Sequence, residues 1–257
     1  MRVHHLNCMT FHLGFKNVTH CLLIEAGEGL VLVDTGLGLG DYAHPTPLVR
    51  AFTTGVRVPC DPEETAIRQI VRLGLAPEDV RDIVLTHMHV DHAACLPDFP
   101  WARVHVYAAE QEAAMHPRRS SFKERFYVAA HWAHAPQWVL HSCAGERWFG
   151  FDCVRLMEKP VEVLLVPLPG HSRGHCGVAV GQGGEWLLHC GDAYVRECQV
   201  TPGADPDPFP GPARGIQHWL FPPEPLVRLR ELGQEHGDQV RLFCSHDRVT
   251  LSTLRGG

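Results

Sequence analysis

The sequence predicts an α/β fold made of two similar halves packed sheet to sheet. Three observations lead there. Short apolar runs of strand character recur along the chain with helical stretches between them. The order strands-then-helix occurs once in each half, although no repeat is detectable at the residue level. Several of the apolar runs end in a histidine or an aspartate, so polar groups are expected to gather at strand ends, where a rigid sheet fixes position and a loop gives access.

The first expected element is a β-hairpin formed by residues 18–25, the turn Gly27-Glu28-Gly29 and residues 30–34, closing on the polar turn Asp34-Thr35-Gly36. Residues 37–60, with Pro45, Pro47 and Pro59, read as an irregular inserted loop near a site. Asp61-Pro62-Glu63-Glu64 starts a helix, with Asp61 as N-cap and Pro62 at the first helical position. Ile67, Ile70, Val71 and Leu73 are expected on its apolar face, and it stops near Gly74. Residues 80–85 and 104–107 read as strands and 108–115 as a helix. Residues 116–150, rich in His, Trp and Arg with weak periodicity, are expected to cover a site as a helical lid or insertion. Strands follow at 153–157, 161–168, 176–181 and 185–190, then a Pro- and Gly-dense stretch at 202–225, a helix at about 224–236 and a last strand at 239–244.

The chain of 257 residues is long enough to bury a large core, and its 45% hydrophobic and 20% charged content is ordinary for a soluble globular protein. A net charge of −6 argues against nucleic acid as a partner, which normally leaves a basic footprint. The first residues, Met1-Arg2-Val3-His4-His5, lack the apolar core of a secretion signal, and no apolar run approaches the ~20 residues that span a bilayer. Ten scattered cysteines without a C-x-x-C pair read as reduced thiols, so a cytoplasmic setting is expected. Cys176 and Cys190 stand near polar motifs but within apolar runs, which favours core packing.

The most informative stretch is Thr86-His87-Met88-His89-Val90-Asp91-His92. Neutral imidazole is the commonest protein metal ligand, and three histidines beside an aspartate form an N/O donor set suited to zinc or iron. On a strand His87, His89 and Asp91 would share one face while His92 pointed away, so a turn at a strand end is expected. Four further apolar runs lead to polar ends: Asp34, Gly170-His171, Gly191-Asp192 and Ser245-His246-Asp247.

Taken in order, Asp34-Thr35-Gly36, the histidine run, Gly170-His171-Ser172-Arg173-Gly174-His175, Gly191-Asp192 and Ser245-His246-Asp247 resemble the five motifs of the metallo-beta-lactamase-fold hydrolases, over about residues 18–248. The resemblance implies a four-layer αββα sandwich of two mixed β-sheets flanked by helices. It also implies one domain over 1–257, with the stretches at 37–60 and 116–150 covering the pocket. It implies two divalent ions, zinc before iron, manganese or cobalt. His87, His89 and His171 would hold the first, Asp91, His92 and His246 the second, and Asp192 would bridge them. Asp34 would orient a ligand histidine or the motif loop, and His175 would be structural.

The reaction so implied is attack of a metal-bridging hydroxide on a carbonyl, with Asp91 moving a proton to the leaving group. Within the superfamily the chain most resembles the N-acyl-homoserine lactonase group, in its insertion before the first helix, in Pro77-Glu78-Asp79-Val80 and in the C-terminal Ser-His-Asp. A lactone or related ester is therefore the expected small-molecule substrate, with no membrane partner and homodimerisation left open. That group holds the lactone carbonyl with a tyrosine three positions after the bridging aspartate. Here Tyr194 follows Asp192 by two, so it is a candidate catalytic residue or a core aromatic. His131, Trp132 and His134 are candidates for pocket lining, with lid packing favoured. The alternatives are a glyoxalase II-like thioesterase and a mononuclear-iron sulfur dioxygenase using only His87, His171 and Asp192. The second-site residues argue against the dioxygenase, and the glutathione-binding C-terminal pattern of the thioesterase is not evident.

Overall fold

A computed structural model describes residues 2–27, 29–118, 120–158, 161–204 and 223–256. Two six-stranded sheets form from them. The first runs in spatial order β1 (Arg2–Leu13), β2 (Phe15–Glu25), β3 (Leu30–Val33), β4 (Val80–Val84), β5 (Arg103–Tyr107) and β6 (Gln137–His141). Its first three strands are antiparallel and the rest join in parallel. The second sheet comprises β7 (Glu146–Trp148), β8 (Phe151–Met157), β9 (Glu162–Pro167), β10 (Cys176–Gln182), β11 (Glu185–His189) and β12 (Val240–Phe243). It is antiparallel except for the parallel pair β11–β12.

Period-two alternation makes the layers. Leu22, Ile24, Val31 and Val33 meet Val163, Leu165, Val178 and Val180 between the sheets. Their neighbours Cys21, Leu23, Leu30 and Leu32 face outward onto α3 (Ala66–Arg72) and α5 (Ala108–Met115), through Ile70 and Ala113. On the far side Leu164, Val166 and Leu188 pack under α6 (Pro223–His236), through Leu229 and Leu232. The result is the expected helix–sheet–sheet–helix sandwich of two mixed sheets. Among the described residues no helix is long and apolar enough to cross a membrane. Cys176 lies in the inter-sheet core and Cys190 under α6, both fully buried.

Several expectations are corrected. An N-terminal strand, β1, precedes the expected hairpin; a register shift between Asn7 and Thr10 interrupts its alternation and hides it from a period-two reading. Residues 37–60 are not irregular but carry α1 (Leu39–Ala43) and α2 (Pro47–Gly55). Thr46 caps α2, accepting from Val49 N, and Pro47 opens it rather than breaking a chain. Asp61 does cap, but a 3-10 turn, Pro62–Glu64; α3 starts after Thr65. Ile70 faces the core, whereas Val71 and Leu73 are 54% and 44% exposed. Among the described residues of 116–150, short 3-10 turns, Lys123–Phe126 and Ala129–Trp132, come first, and β6 and β7 then edge the two sheets. A last helix, α7 (Arg248–Arg255), follows the final strand. Most of the Pro- and Gly-dense stretch at 202–225 lies outside the described residues.

Candidate metal centre

The five polar motifs converge at the ends of β3, β4, β9, β11 and β12. After β4 the chain bends at Thr86, is extended at His89 (φ −66°, ψ 162°) and then turns into α4 (Val90–Ala93). This change from strand to helix lets His87, His89, Asp91 and His92 face one region, which neither element alone allows. Three sets of donor atoms lie within 4.8 Å of one another: His87, His89 and His171; His87, His92 and Asp192; Asp91, His92 and His246. His171 Nε2 is 3.0 Å from His89 Nδ1, and Asp192 Oδ2 is 3.4 Å from His171 Nε2 and 3.0 Å from His246 Nε2. His92 Nε2 is 3.4 Å from Asp192 Oδ1 and 3.6 Å from Asp91 Oδ2. All seven side chains are buried.

The surrounding hydrogen bonds decide which imidazole nitrogens carry protons. His92 Nδ1–H donates to Asp34 Oδ2 at 2.9 Å, and His246 Nδ1–H to the Val18 carbonyl at 2.8 Å. His87 Nδ1–H donates to Thr86 Oγ1 at 3.0 Å, and that hydroxyl donates to Asp34 at 2.8 Å. Each Nε2 lone pair is thereby aimed into the cluster. Asp34 also accepts from Thr86 N and is buried at φ +53°, a strained conformation held by these three hydrogen bonds from Thr86 and His92. His175 spends both ring nitrogens on backbone: Nδ1–H donates to Leu168 O, and Nε2 accepts from Asp192 N. It steadies Asp192 and has no lone pair left for an ion. Gly191 is required beside it, since a Cβ there would sit 2.5 Å from His175 Nε2 and φ is +54°.

Burial removes protons from the first set: His87 and His89 lie well below the ordinary imidazole range and His171 is pushed down to about 3. In the second set burial opposes ionisation, but Asp192 and Asp91 hold His92 and His246 above the ordinary value. Burial raises Asp91, while against its own burial Asp192 is held well below the usual carboxylate range by His246, His92 and His171. The cluster thus stabilises positive charge at its centre. His87 Nε2, His92 Nε2 and Asp192 Oδ1 are buried in the cluster without a hydrogen-bond partner. Orphaned buried polar atoms are rare in folded proteins. Imidazole nitrogens and a carboxylate oxygen so arranged fit divalent metal ions.

Glu110, at the start of α5, has no counterpart in the sequence reading and organises the centre from behind. Its buried carboxylate accepts from Met88 N (2.9 Å), Tyr127 Oη (3.0 Å), Ser172 Oγ (2.6 Å) and Gly174 N (3.1 Å). It therefore ties the loop of His87 and His89 to the loop of His171. Gly174 permits this, because a Cβ there would meet Glu110 N at 2.1 Å. Burial pushes the Glu110 carboxyl up, and the four donors pull it back.

The centre opens into a cavity of about 170 Å3 walled by Phe11, Leu13 and Phe15 from the β1–β2 hairpin, Phe52 and Val56 from the α2 region, and Phe126. Asp91, His89, His171, Asp192 and His246 form its floor. Tyr194 does not reach it. Its side chain is buried in the cluster under α6 that contains Cys190, Trp148 and Leu229, and Val195, three positions after Asp192, lines the cavity. His131 pairs with Asp41 at 3.0 Å and Trp132 packs on the first sheet's outer face; neither lines the cavity, and nor does His134.

With that geometry in view, comparison with known proteins is informative. The sequence model of the metallo-beta-lactamase superfamily matches residues 15–226. A probable metallo-hydrolase of Mycobacterium tuberculosis is 46% identical over 255 residues, covering 96% of this chain and 80% of that protein. An N-acyl homoserine lactonase of Bacillus thuringiensis is 28% identical over 238 residues, covering 88% and 80%. A solved N-acyl homoserine lactone hydrolase, with N-hexanoyl-L-homoserine at its catalytic metal centre, superposes with a TM-score of 0.69 at 20% identity, covering 98% of this chain and 95% of that one.

Proposed function

The chain belongs to the metallo-beta-lactamase superfamily and is a metal-dependent hydrolase, and from that premise we propose that it holds two divalent ions, zinc first, and hydrolyses a lactone or related carboxylic ester. The observation that carries this reading is the overlap of the donor sets: the set of His87, His92 and Asp192 shares His87 with one neighbour and His92 with the other. Seven donors exceed the four of a tetrahedral zinc but suit two ions sharing a carboxylate. His87, His89 and His171 would hold one ion, Asp91, His92 and His246 the other, and Asp192 both. Bound there, the ions would supply a water acidified towards neutrality and polarisation of the substrate carbonyl.

The remaining work falls to the chain. The aromatic cavity excludes water and orients an apolar limb over the donors. Asp91 lines that cavity, and burial raises its carboxyl, which suits a group that takes up a proton and returns it. In hydrolysis the water oxygen bonds to the acyl carbon, the ester C–O bond breaks, and Asp91 passes the water's proton to the leaving oxygen. Asp34 keeps His92 in one tautomer throughout. The lactone reading draws on the relatives named N-acyl homoserine lactonases; the apolar Val195 beside the donors widens it to related esters, because the chain has no phenol at that position.

The test is metal analysis of the purified protein with a panel of lactone, ester, thioester and phosphodiester substrates. About two ions per chain and turnover of at least one lactone or ester are expected. One ion per chain with oxygen consumption on a persulfide would overturn the reading. His246→Ala should lose one ion and most hydrolysis, and unchanged metal content would remove His246 from the centre.

A further inference from the structure

The donor cluster borders two cavities. Besides the aromatic one, a second cavity of about 360 Å3 is also lined by His89 and His171. Its outer wall is polar and cationic: Arg118, Ser120, Ser121, Lys123, Glu124 and Arg173. The single carboxylate among them is already engaged. Glu124 takes the Arg173 Nε at 3.0 Å and the Arg118 backbone N–H. Lys123 is half-buried, and its ammonium donates to the Gly170 carbonyl at 2.8 Å, one residue before His171, with no acidic partner among the described residues. An ammonium has three donors, so two remain for a ligand. The Arg118 guanidinium has no partner among the described residues. Three cations thus face one neutralised carboxylate, beside the same two histidines that floor the apolar cavity.

We propose that this second cavity is an anion subsite, so that the substrate is an ester with an apolar limb in the aromatic cavity and a carboxylate or phosphate on the other half, held by Lys123 and Arg118. The inference rests on the hydrolytic reading above for the scissile bond, but the subsite itself stands on this cavity alone. It gives each half of the substrate its own cavity beside His89 and His171, which orients the acyl carbon without the tyrosine that Val195 replaces.

The zinc-loaded full chain is assayed on phenyl hexanoate, 4-carboxyphenyl hexanoate and 4-phosphonooxyphenyl hexanoate. Lys123→Met and, separately, Arg118→Gln should lower kcat/KM on an anionic ester about tenfold more than on phenyl hexanoate, the size of one charge-assisted hydrogen bond. Lys123→Arg should restore the ratio. The anionic ester with the larger differential loss identifies the preferred group. Equal losses on neutral and anionic esters in both variants overturn the subsite, as they would mean that Lys123 merely supports the His171 loop. If none of the three esters is hydrolysed, the ester reading fails, and the subsite is judged by calorimetry with 4-hydroxybenzoate and inorganic phosphate. Binding weakened about tenfold by either variant supports it; binding that is absent or indifferent to both refutes it.

Discussion

Glu110→Gln tests how far the first donor set depends on one carboxylate behind it. The substitution keeps shape and removes one acceptor. Oε1 accepts from Met88 N and Tyr127 Oη, Oε2 from Ser172 Oγ and Gly174 N. Whichever oxygen becomes the amide nitrogen, it faces a backbone N–H that cannot accept, so the variant must bury a donor against a donor. The hydroxyls can turn, but the backbone cannot. One unsatisfied buried N–H costs about 1–3 kcal/mol, and weakening of the other charge-assisted bonds adds about 1 kcal/mol. For a domain of this size ~3 kcal/mol corresponds to a Tm lowered by about 6 °C. The damage is also directional. Met88 lies between His87 and His89, and Ser172 follows His171, whereas nothing from Glu110 touches Asp91, His92 or His246. Metal affinity should therefore fall about 10–100-fold at the first set, as when other supporting partners of ligands are lost, and little at the second. Chelator competition on the folded variant reads this as one weakened ion and one unchanged. Equal weakening of both ions, or an unchanged Tm with full metal content, would refute the reasoning.

Two further outcomes follow from groups outside the centre. His5 Nδ1 lies 2.8 Å from His20 Nε2, whose ring meets His189 edge-on, and burial with the charge of its neighbours lowers the His5 pKa from 6.5 to about 4. Above pH 6.5 neither state is charged; as pH falls from 6.5 to about 4 the unfolded chain binds a proton that the fold refuses, so stability is lost. The full linkage is ~3 kcal/mol, and about half of that remains after solvent screening of a half-buried ring. Denaturant titration of His5→Gln beside the parent should show a shallower fall across this window; parallel curves would exclude His5. In the aromatic cavity, Phe126→Ala should lower kcat/KM on a hexanoyl ester about tenfold more than on an acetyl ester, from lost contact with about two methylenes at ~0.8 kcal/mol each. Equal changes on both esters would place the acyl limb elsewhere.

Much of this architecture was open to reading because burial imposes its own periods. Leu22 and Ile24 face one core and Cys21 and Leu23 the other, so β2 reads as a strand buried on both faces. The donors were visible because each interrupts such a run with a residue that has no place in an apolar core unless it is paired. What stayed hidden lacked such contrast. The bulge between Asn7 and Thr10 breaks the alternation of β1, so the hairpin tip that supplies Phe11, Leu13 and Phe15 could not be anticipated. β6 is an edge strand with no buried residue, so its short Trp138-Val139-Leu140 run shows no alternation between a core face and a solvent face. The Thr46-Pro47 start of α2 was a legible capping signal, obscured by two further prolines nearby.

Glu110 and Tyr194 show where local pattern stops informing. A glutamate in an alanine-rich helix reads as a solvated side chain, and only the tertiary approach of Gly174 and Ser172 makes it a buried acceptor of four bonds. Tyr194 has the right chemistry one position too early. Residues Asp192, Ala193, Tyr194 and Val195 follow a glycine at φ +54°, and that turn sends position 194 under α6 and position 195 to the cavity. A shift of one residue thus exchanges a phenol for an isopropyl group beside the donors. The consequence is chemical: beside the donors the cavity offers an isopropyl group in place of a phenol, and the walls that meet His89 and His171 are aromatic in one cavity and cationic in the other.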